Sequence, residues 1–300
     1  MVSTVVDSGA RRHEEYQYLD SIKDLIENGS RHENRTGIPT LAKFGTMMRY
    51  SLENNTLPLF TTKQTAYKAI LKELLFFIRG DTNNKHLQEQ NVHIWDGNST
   101  REFLDNRNLH NYEEGDLGPI YGFQWRHFGA DYKTCNDDYS GQGIDQLMDV
   151  IEKIRKEPTD RRLIVSAWNP QATSKMALPP CHLMFQFHVD GDQLDCIMYQ
   201  RSCDMALGVP FNVASYSILT HIVAFLSGLK ARHFIHSLGD YHVYENHVEP
   251  LKTQLEREPK PFPQLKIKDR GQKRPEDFVF EDFELENYEF WPRIKMDMAV

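Results

Sequence analysis

The sequence predicts an α+β fold in which a mixed β-sheet is flanked by helices. The stretch TAYKAILKELLFFIR at 65–79 repeats its apolar residues with a helical period. Residues 181–201 alternate apolar and polar side chains around the turn dipeptide Asp190-Gly191, which is typical of a β-hairpin. Strands and helices follow one another without a regular β-α-β alternation, so the order of elements favours α+β.

The predicted helix at 65–79 places a carboxylate on its apolar side. At 100° per residue, Lys68, Lys72 and Arg79 form one polar stripe, and Glu73 lies opposite that stripe. Burial of an ionised carboxylate raises its pKa toward the range that suits proton transfer. Glu73 is therefore a candidate proton-transfer group, and the competing interpretation is a buried carboxylate with a purely structural hydrogen-bond partner.

A strand and a β-hairpin are predicted further along the chain than the helix at 65–79. RRLIVSAW at 161–168 predicts a buried strand. With Asp190-Gly191 as the hairpin turn, Cys181 lies opposite Gln200 and beside Arg201, and a turn two residues longer moves the pairing only to Ser202. A thiol beside a fixed positive charge has a lowered pKa. We therefore predict Cys181 as a nucleophile, against the alternative of a buried structural thiol.

The last clear element is a buried helix at 211–228, FNVASYSILTHIVAFLSG, with Pro210 before it and Gly228 at its end. Between the elements there is no repeat and no low-complexity linker. We therefore predict a mobile N-terminal segment at 1–20 and a single catalytic domain at 21–300.

Composition limits the classes of partner. The chain has 300 residues and a net charge of -8, with a pI near 5.9, so it lacks the broad positive field of a general nucleic-acid or membrane-surface binder. Four cysteines without a C-x-x-C pair predict free thiols in a reducing compartment. No histidines have the spacing of a helical metal pair, and we found no secretory signal and no run of 18 apolar residues. We expect a soluble intracellular protein without a metal and without a membrane partner.

Arginines are the candidate anion ligands in this acidic chain. Arg35, Arg161, Arg162 and Arg201 are far apart in sequence, and each alone is most often a solvated charge or one half of an ion pair. Brought together, their guanidinium groups could neutralise a phosphate with forked hydrogen bonds.

A series of motifs covers nearly the whole chain after the first twenty residues: RTG (35–37), PLFTTK (58–63), KELLFFIRGDTN (72–83), IWDGN (94–98), GDLGPIYGFQWRHFGA (115–130), DRRLIVSAWNP (160–170), ALPPCH (177–182), YQRSCDMALGVPFN (199–212), HSLGDYHVYENHVEP (236–250) and the terminal MAV. In this order, the motifs closely resemble those of the thymidylate synthase family.

The resemblance implies a methyltransferase reaction. Deoxyuridine monophosphate (dUMP) would receive a methyl group from the co-substrate 5,10-methylenetetrahydrofolate, giving thymidylate and dihydrofolate. Cys181 would add to carbon 6 of the uracil ring, which makes carbon 5 nucleophilic and divides one difficult step into easier ones.

The resemblance also assigns site residues by position. It implies a catalytic set comprising Cys181, Glu73, Tyr121, His182, Arg201, Asp204 and Asn212. It implies nucleotide ligands at Arg35, Arg161, Arg162, Arg201, Ser202, Asp204, Asn212, His242 and Tyr244. It implies folate contacts at Lys63, Ile94, Trp95, Asn98, Asp204, Leu207, Gly208 and Phe211, with Val300 at the end of a closing tail.

Assembly and location follow from the same resemblance. The family forms homodimers by packing sheets back to back, and Arg161 and Arg162 match the pair contributed to the opposite subunit's site. We expect a cytoplasmic enzyme, with nuclear or mitochondrial pools and a secondary RNA contact left open.

Three other functions compete with this one. A hydroxymethylase of the same fold would add water in place of hydride, but those acting on cytosine need an aspartate where Asn212 stands. A cysteine hydrolase would need a histidine base at Cys181, yet neighbours on a strand such as His182 point to opposite faces. A binding protein could hold RNA through the arginines, against the acidic net charge.

Overall fold

The computed structural model describes residues 12–298, and they form the α+β fold that the sequence predicts. The helices are α1 (Tyr16–Asn28), α2 (Tyr67–Ile78), α3 (Lys85–Gln88), α4 (Arg101–Asn106), α5 (Tyr121–His127), α6 (Gln146–Lys156), α7 (Gly208–Ser227) and α8 (Val248–Leu255). The strands are β1 (Ser30–His32), β2 (Thr40–Ser51), β3 (Ile164–Ser166), β4 (His182–Asp190), β5 (Gln193–Asp204), β6 (Lys230–Tyr244), β7 (Gln264–Ile267) and β8 (Phe283–Glu286).

Six strands form a mixed sheet in the order β1-β2-β6-β5-β4-β3. Strands β5 and β6 are parallel, and the other neighbours are antiparallel. A parallel pair needs a long crossover, and α7 supplies it here. Strands β7 and β8 form a separate antiparallel pair.

The two faces of the main sheet differ in burial. One paired row is buried on the side of α7 and consists of Val165, Phe185, Met198, His236 and Met48. Because side chains alternate along a strand, the next row faces the other way; it consists of Ile164, Gln186, Ile197, Ile235 and Arg49. This second face, called here the outer face, carries Met47 at 58% exposure and Ile164 at 40%.

Helix α7 lies in the core and is buried on nearly all sides. It begins three residues before the predicted start, because Pro210 falls in its first turn, where no backbone N–H is needed. It ends at Gly228, whose left-handed φ of 70° suits glycine. Among the described residues it is the helix long and apolar enough to cross a membrane, but 83% of that stretch is buried inside the protein.

The segment predicted to be mobile, residues 1–20, overlaps helix α1 in its described part. Helix α1 includes residues 16–20, and Glu15 is completely buried just before it. Helix α1 also covers the open edge of β2, where Gln17 exchanges two hydrogen bonds with the backbone of Arg49 at 2.7 and 2.8 Å. Residues 1–11 lie outside the described part of the chain.

Candidate active site

The first group of predicted site residues lies where β4 begins and where β5 and β6 end. Cys181 directly precedes β4, Asp204 ends β5 and Tyr244 ends β6. Helix α7 starts four residues after Asp204 and carries Asn212 in its second turn. The parallel pair and its crossover therefore bring residues from distant parts of the chain to one edge of the sheet.

The pairing of Cys181 differs from the predicted register. The hairpin turn comprises Gly191 and Asp192, so Asp190 pairs with Gln193. A β-bulge between His182 and Met184 then shifts the register by one, and His182 pairs with Gln200. Cys181 consequently lies opposite Arg201, which donates its backbone N–H to the Cys181 carbonyl at 2.8 Å.

The Arg201 side chain is fixed beside the thiol. Its Nε donates to the carbonyl of Pro180 at 2.8 Å and its Nη2 to that of Pro179 at 3.0 Å, leaving Nη2 3.9 Å from the Cys181 Sγ. Gly239 lies across from Arg201 on β6, where an added Cβ would come within 3.1 Å of the Arg201 carbonyl oxygen. The guanidinium group is therefore held in place before any ligand binds.

The pKa of Cys181 corrects the sequence-based prediction in one respect. Arg201 lowers the thiol's pKa as expected, and Tyr121 and Arg35 add to that effect. Burial is the larger influence, however, and it raises the pKa above the usual value of 9.0. The site as described therefore favours the thiol, with positive charge ready to stabilise the thiolate.

A buried aromatic network lies behind Cys181. Tyr121, 3% exposed, accepts the Cys181 backbone N–H at its Oη (2.9 Å), and its ring stacks on His182 with 4.0 Å between centroids. His182 Nδ1 bonds the hydroxyl of Tyr216 at 2.7 Å, and burial lowers the pKa of His182 to about 3. His182 is thus a neutral member of this network, and no hydrogen bond among the described residues joins it to the thiol as a hydrolase base would require.

Glu73 projects from α2 toward the same network. The predicted rise in its pKa is confirmed, since burial raises it from 4.5 to about 7. The Trp95 indole N–H donates to Glu73 Oε1 at 2.8 Å, which partly opposes that rise. A half-buried carboxyl group with a pKa near neutrality can both accept and donate a proton.

The residues assigned to the nucleotide surround this edge of the sheet. His242 pairs with Asp204 across β5 and β6, and its Nδ1 bonds Asp240 at 2.8 Å. The pKa of Tyr244 is influenced by Asp204, Arg35 and Cys181. The exposed turn that carries Arg35 therefore lies on the same side of the molecule as the nucleophile. Half-buried Ser202 and Asn212 complete the group, and the Asn212 amide makes no side-chain hydrogen bond within residues 12–298.

Arg161 and Arg162 are not brought into this group. Both are exposed, and Arg162 bonds Asp160 at 2.9 Å. The Arg161 carbonyl accepts a hydrogen bond from the Gln186 side chain at 3.1 Å. Gln186 lies on β4, five residues after Cys181. At about 3.4 Å per residue this is ~17 Å. Within one chain the pair therefore lies away from Arg201.

Several of the residues assigned to folate lie next to the first group. Lys63, 7% exposed, donates from Nζ to the Ala206 carbonyl, and burial lowers its pKa to about 8 while Asp204 opposes that change. The half-buried apolar and polar residues assigned to folate are Ile94, Asn98, Leu207, Gly208 and Phe211. Val300 lies outside the described residues.

Sequence reasoning missed three side chains that support the site. Trp168 packs its ring over the Arg201 guanidinium group, 5.7 Å from the centroid. His236, completely buried, bonds the side chain of Gln200 at 2.9 Å, and Gln200 in turn donates to the Ser202 carbonyl. The β3–β4 and β5–β6 registers bring these contacts about, so the sequence alone gave no signal for them.

The other thiols resemble structural cysteines. Burial raises the pKa of Cys196 and Cys135 to about 12 in each case, and it also raises that of Cys203. Within residues 12–298 no cluster of three histidine, cysteine or acidic side chains is arranged to hold a metal ion.

Comparison with known proteins agrees with the resemblance. A family model described as thymidylate synthase matches residues 16–300. This chain belongs to the thymidylate synthase family. Human thymidylate synthase is 54% identical over 96% of this chain and 91% of its own length. The thymidylate synthase of Encephalitozoon cuniculi is 53% identical over 96% of this chain and 98% of its own length.

Some relatives in the thymidylate synthase family are longer proteins. The bifunctional dihydrofolate reductase-thymidylate synthase of Zea mays is 54% identical over 96% of this chain. The chain spans 55% of that relative's length.

Proposed function

We propose that this chain carries out the reaction for which its family is named. It would convert dUMP to thymidylate with 5,10-methylenetetrahydrofolate and release dihydrofolate. The observation that carries this proposal is the Cys181 thiol, 3.9 Å from a fixed Arg201 guanidinium group and backed by a buried network that leads toward Glu73. A nucleophile, an anion ligand and a carboxyl group with a pKa near 7 are the parts this reaction needs.

Each residue has a chemical task in this proposal. Arg201 would bind the nucleotide phosphate and stabilise the thiolate of Cys181. The thiolate would form a bond to carbon 6 of uracil, and the ring electrons would move onto carbon 5 and the neighbouring carbonyl. Glu73 would move the protons that the ring gains and loses, through water at the edge of the buried network.

The folate-side residues fit a flat, partly apolar ligand with an anionic end. Ile94, Leu207 and Phe211 pack against the hydrophobic core and keep some exposed surface. Lys63 and Asp204 add charged groups beside them. When bound, methylenetetrahydrofolate supplies the one-carbon unit and the hydride; these residues would orient it and exclude water.

The direct test is dihydrofolate formation, followed by absorbance, with purified protein, methylenetetrahydrofolate and either dUMP or the deoxycytidine nucleotide. We expect a rise with dUMP alone. No rise, with a hydroxymethylated product by mass, would favour the hydroxymethylase. Binding of generic RNA with a steep salt dependence would instead support the RNA contact. The RNA contact and the cytoplasmic location both stay predictions.

Asn212 is expected to read the polar edge of uracil. Its free amide offers one donor and one acceptor, which matches the uracil N–H and carbonyl and mispairs with cytosine. Asn212→Asp should lower kcat/KM for dUMP by about 10²-fold and improve use of the cytosine nucleotide. Steady-state kinetics with both nucleotides check this, and an unchanged preference would show that another group reads the ring.

We infer a homodimer formed through the outer face. Besides Met47 and Ile164, Trp168 just after β3 is 37% exposed, so this face leaves apolar surface uncovered on β2 and around β3, whose first residue lies three positions after Arg161. A symmetric pairing of outer faces would cover this surface. It would also carry Arg161 and Arg162 toward a partner's phosphate site, since they lie away from their own.

Shared sites predict complementation between two inactive variants. Arg161→Glu and Cys181→Ala should each be inactive as pure dimers, but a heterodimer has one site with neither change. Random subunit exchange makes half the dimers mixed, so an equal mixture should regain about a quarter of the unaltered activity. The readout is turnover after exchange verified by native mass spectrometry. No recovery in verified heterodimers would rule out sharing.

A further inference from the structure

We propose that Glu15 is a positioning residue for the folate side of the site, holding residues 61–63 in place so that Lys63 and the C-terminal segment 288–298 are correctly docked. This inference rests on the proposed function and extends it to a residue that precedes α1. Glu15 touches none of the groups assigned to the reaction. Its effect would pass through the backbone that it binds.

The Glu15 carboxylate is completely buried and accepts four hydrogen bonds. Oε2 accepts the backbone N–H and the hydroxyl of Thr61 at 2.9 and 2.7 Å. Oε1 accepts the same two groups of Thr62 at 2.9 and 2.6 Å. Hydrogen bonds to a charged acceptor are stronger than neutral ones, and a buried carboxylate is tolerated only when it is bonded in this way. The backbone N–H groups of residues 61 and 62 are therefore both held by one side chain.

The C-terminal segment binds the same residues from the other side. The Trp291 backbone N–H donates to the Thr61 carbonyl at 2.8 Å. Arg257 Nη1 donates to the carbonyls of Thr62 and Pro292, both at 2.8 Å, and joins the two stretches. Tyr288 donates its hydroxyl to the Phe60 carbonyl at 2.8 Å. Residues 60–62 are thus a strip of backbone between Glu15 and the C-terminal segment.

Lys63 follows this strip directly and connects it to the folate-side group. Its Nζ donates to the Ala206 carbonyl, two residues beyond Asp204, and lies 4.0 Å from the Met296 sulfur of the C-terminal segment. The negative charge of Glu15 also opposes the effect of burial on the Lys63 pKa. A shift of the backbone at 61–62 would therefore move the Lys63 ammonium group and loosen the C-terminal segment together. The Cys181 and Arg201 contacts do not include this strip.

The test compares Glu15→Gln and Glu15→Ala with the unaltered chain, with Glu14→Gln as the matched control. Glu14 accepts from the Ser51 backbone N–H at 2.7 Å and does not bond residues 61–62. A glutamine keeps one acceptor oxygen, so one pair of donors loses its partner, and alanine removes both. We expect the KM for methylenetetrahydrofolate to rise about tenfold in Glu15→Gln and further in Glu15→Ala, with the dissociation constant of dUMP within twofold.

A second measurement separates positioning from general stability. Hydrogen exchange by mass spectrometry should become faster at 288–298 in Glu15→Gln, with residues 181–204 unchanged. Equally weakened binding of dUMP and methylenetetrahydrofolate, together with faster exchange throughout the protein, would mean a structural role only and would overturn the proposal. Unchanged kinetics and unchanged exchange would also overturn it. If the unaltered chain shows no turnover, the proposed function fails, and the exchange comparison alone then decides whether Glu15 holds the C-terminal segment.

Discussion

Cys181→Ala is expected to lower kcat by at least about 10⁴-fold, because the proposed reaction has no other route to a nucleophilic carbon 5. Binding of dUMP should stay within a few-fold of the unaltered protein, since the arginines and the polar edge of the site are intact. Stopped-flow turnover and calorimetric binding measure the two effects separately. The protein should also lose a covalent adduct with the nucleotide, visible by mass spectrometry under denaturing conditions.

Cys135→Ala is the matched control for this experiment. Cys135 is also partly accessible, but its pKa is raised to about 12 by burial and by nearby carboxylates, and Lys85 opposes this rise only in part. Its removal should leave turnover within twofold. If Cys181→Ala kept substantial activity while Cys135→Ala lost it, the nucleophile would be assigned to the wrong thiol.

Glu73→Gln should lower kcat by about 10²- to 10³-fold and yet stabilise the fold at high pH. The folded-state pKa of about 7 exceeds the ordinary value of 4.5, so the folded protein binds more protons than the unfolded chain between these values. The stability that protonated Glu73 confers is therefore lost as the pH rises from about 4.5 to about 7. Above pH 7 the ionised side chain lowers the free energy of unfolding by about 3 kcal/mol. Glutamine has no charge and can still accept from Trp95.

Chemical denaturation at pH 5 and pH 8 measures this effect. The free energy of unfolding of Glu73→Gln should exceed that of the unaltered chain at pH 8, and the gap should shrink at pH 5. The inflection in kcat near pH 7 should disappear in the variant. A variant that is destabilised equally at both pH values would show that Glu73 is ionised and structurally bonded in the fold.

Local patterns in the sequence predict the chemistry of single residues well. The helical period at 65–79 predicts the burial of Glu73 and the rise in its pKa, and the hairpin pattern predicts that Cys181 and Arg201 are neighbours. Both predictions depend on contacts within one or two adjacent elements, where periodicity is informative. The direction of the Cys181 pKa was wrong because desolvation depends on every element around the thiol, and a single hairpin does not contain them.

Contacts between distant elements were not predictable. Trp168 reaches Arg201, and His236 reaches Gln200, only because the strands pair in one register. The start of α1 was missed because its first turn follows a polar stretch, and the buried environment of Glu15 comes from residues 61 and 62, about 46 positions away. Such contacts require the topology, which no local pattern contains.

The β-bulge in β4 has a consequence for how this gene can change. Because of the one extra residue between His182 and Met184, the ring of His182 faces α7, on the same side as Phe185. Loss of the Leu183 codon would remove the bulge and leave His182 on that side, with Cys181 still on the other. Every residue assigned to the reaction would still be encoded. Loss of a codon elsewhere in β4 would turn part of the strand to the opposite face, so the bulge is the place where this strand can change length.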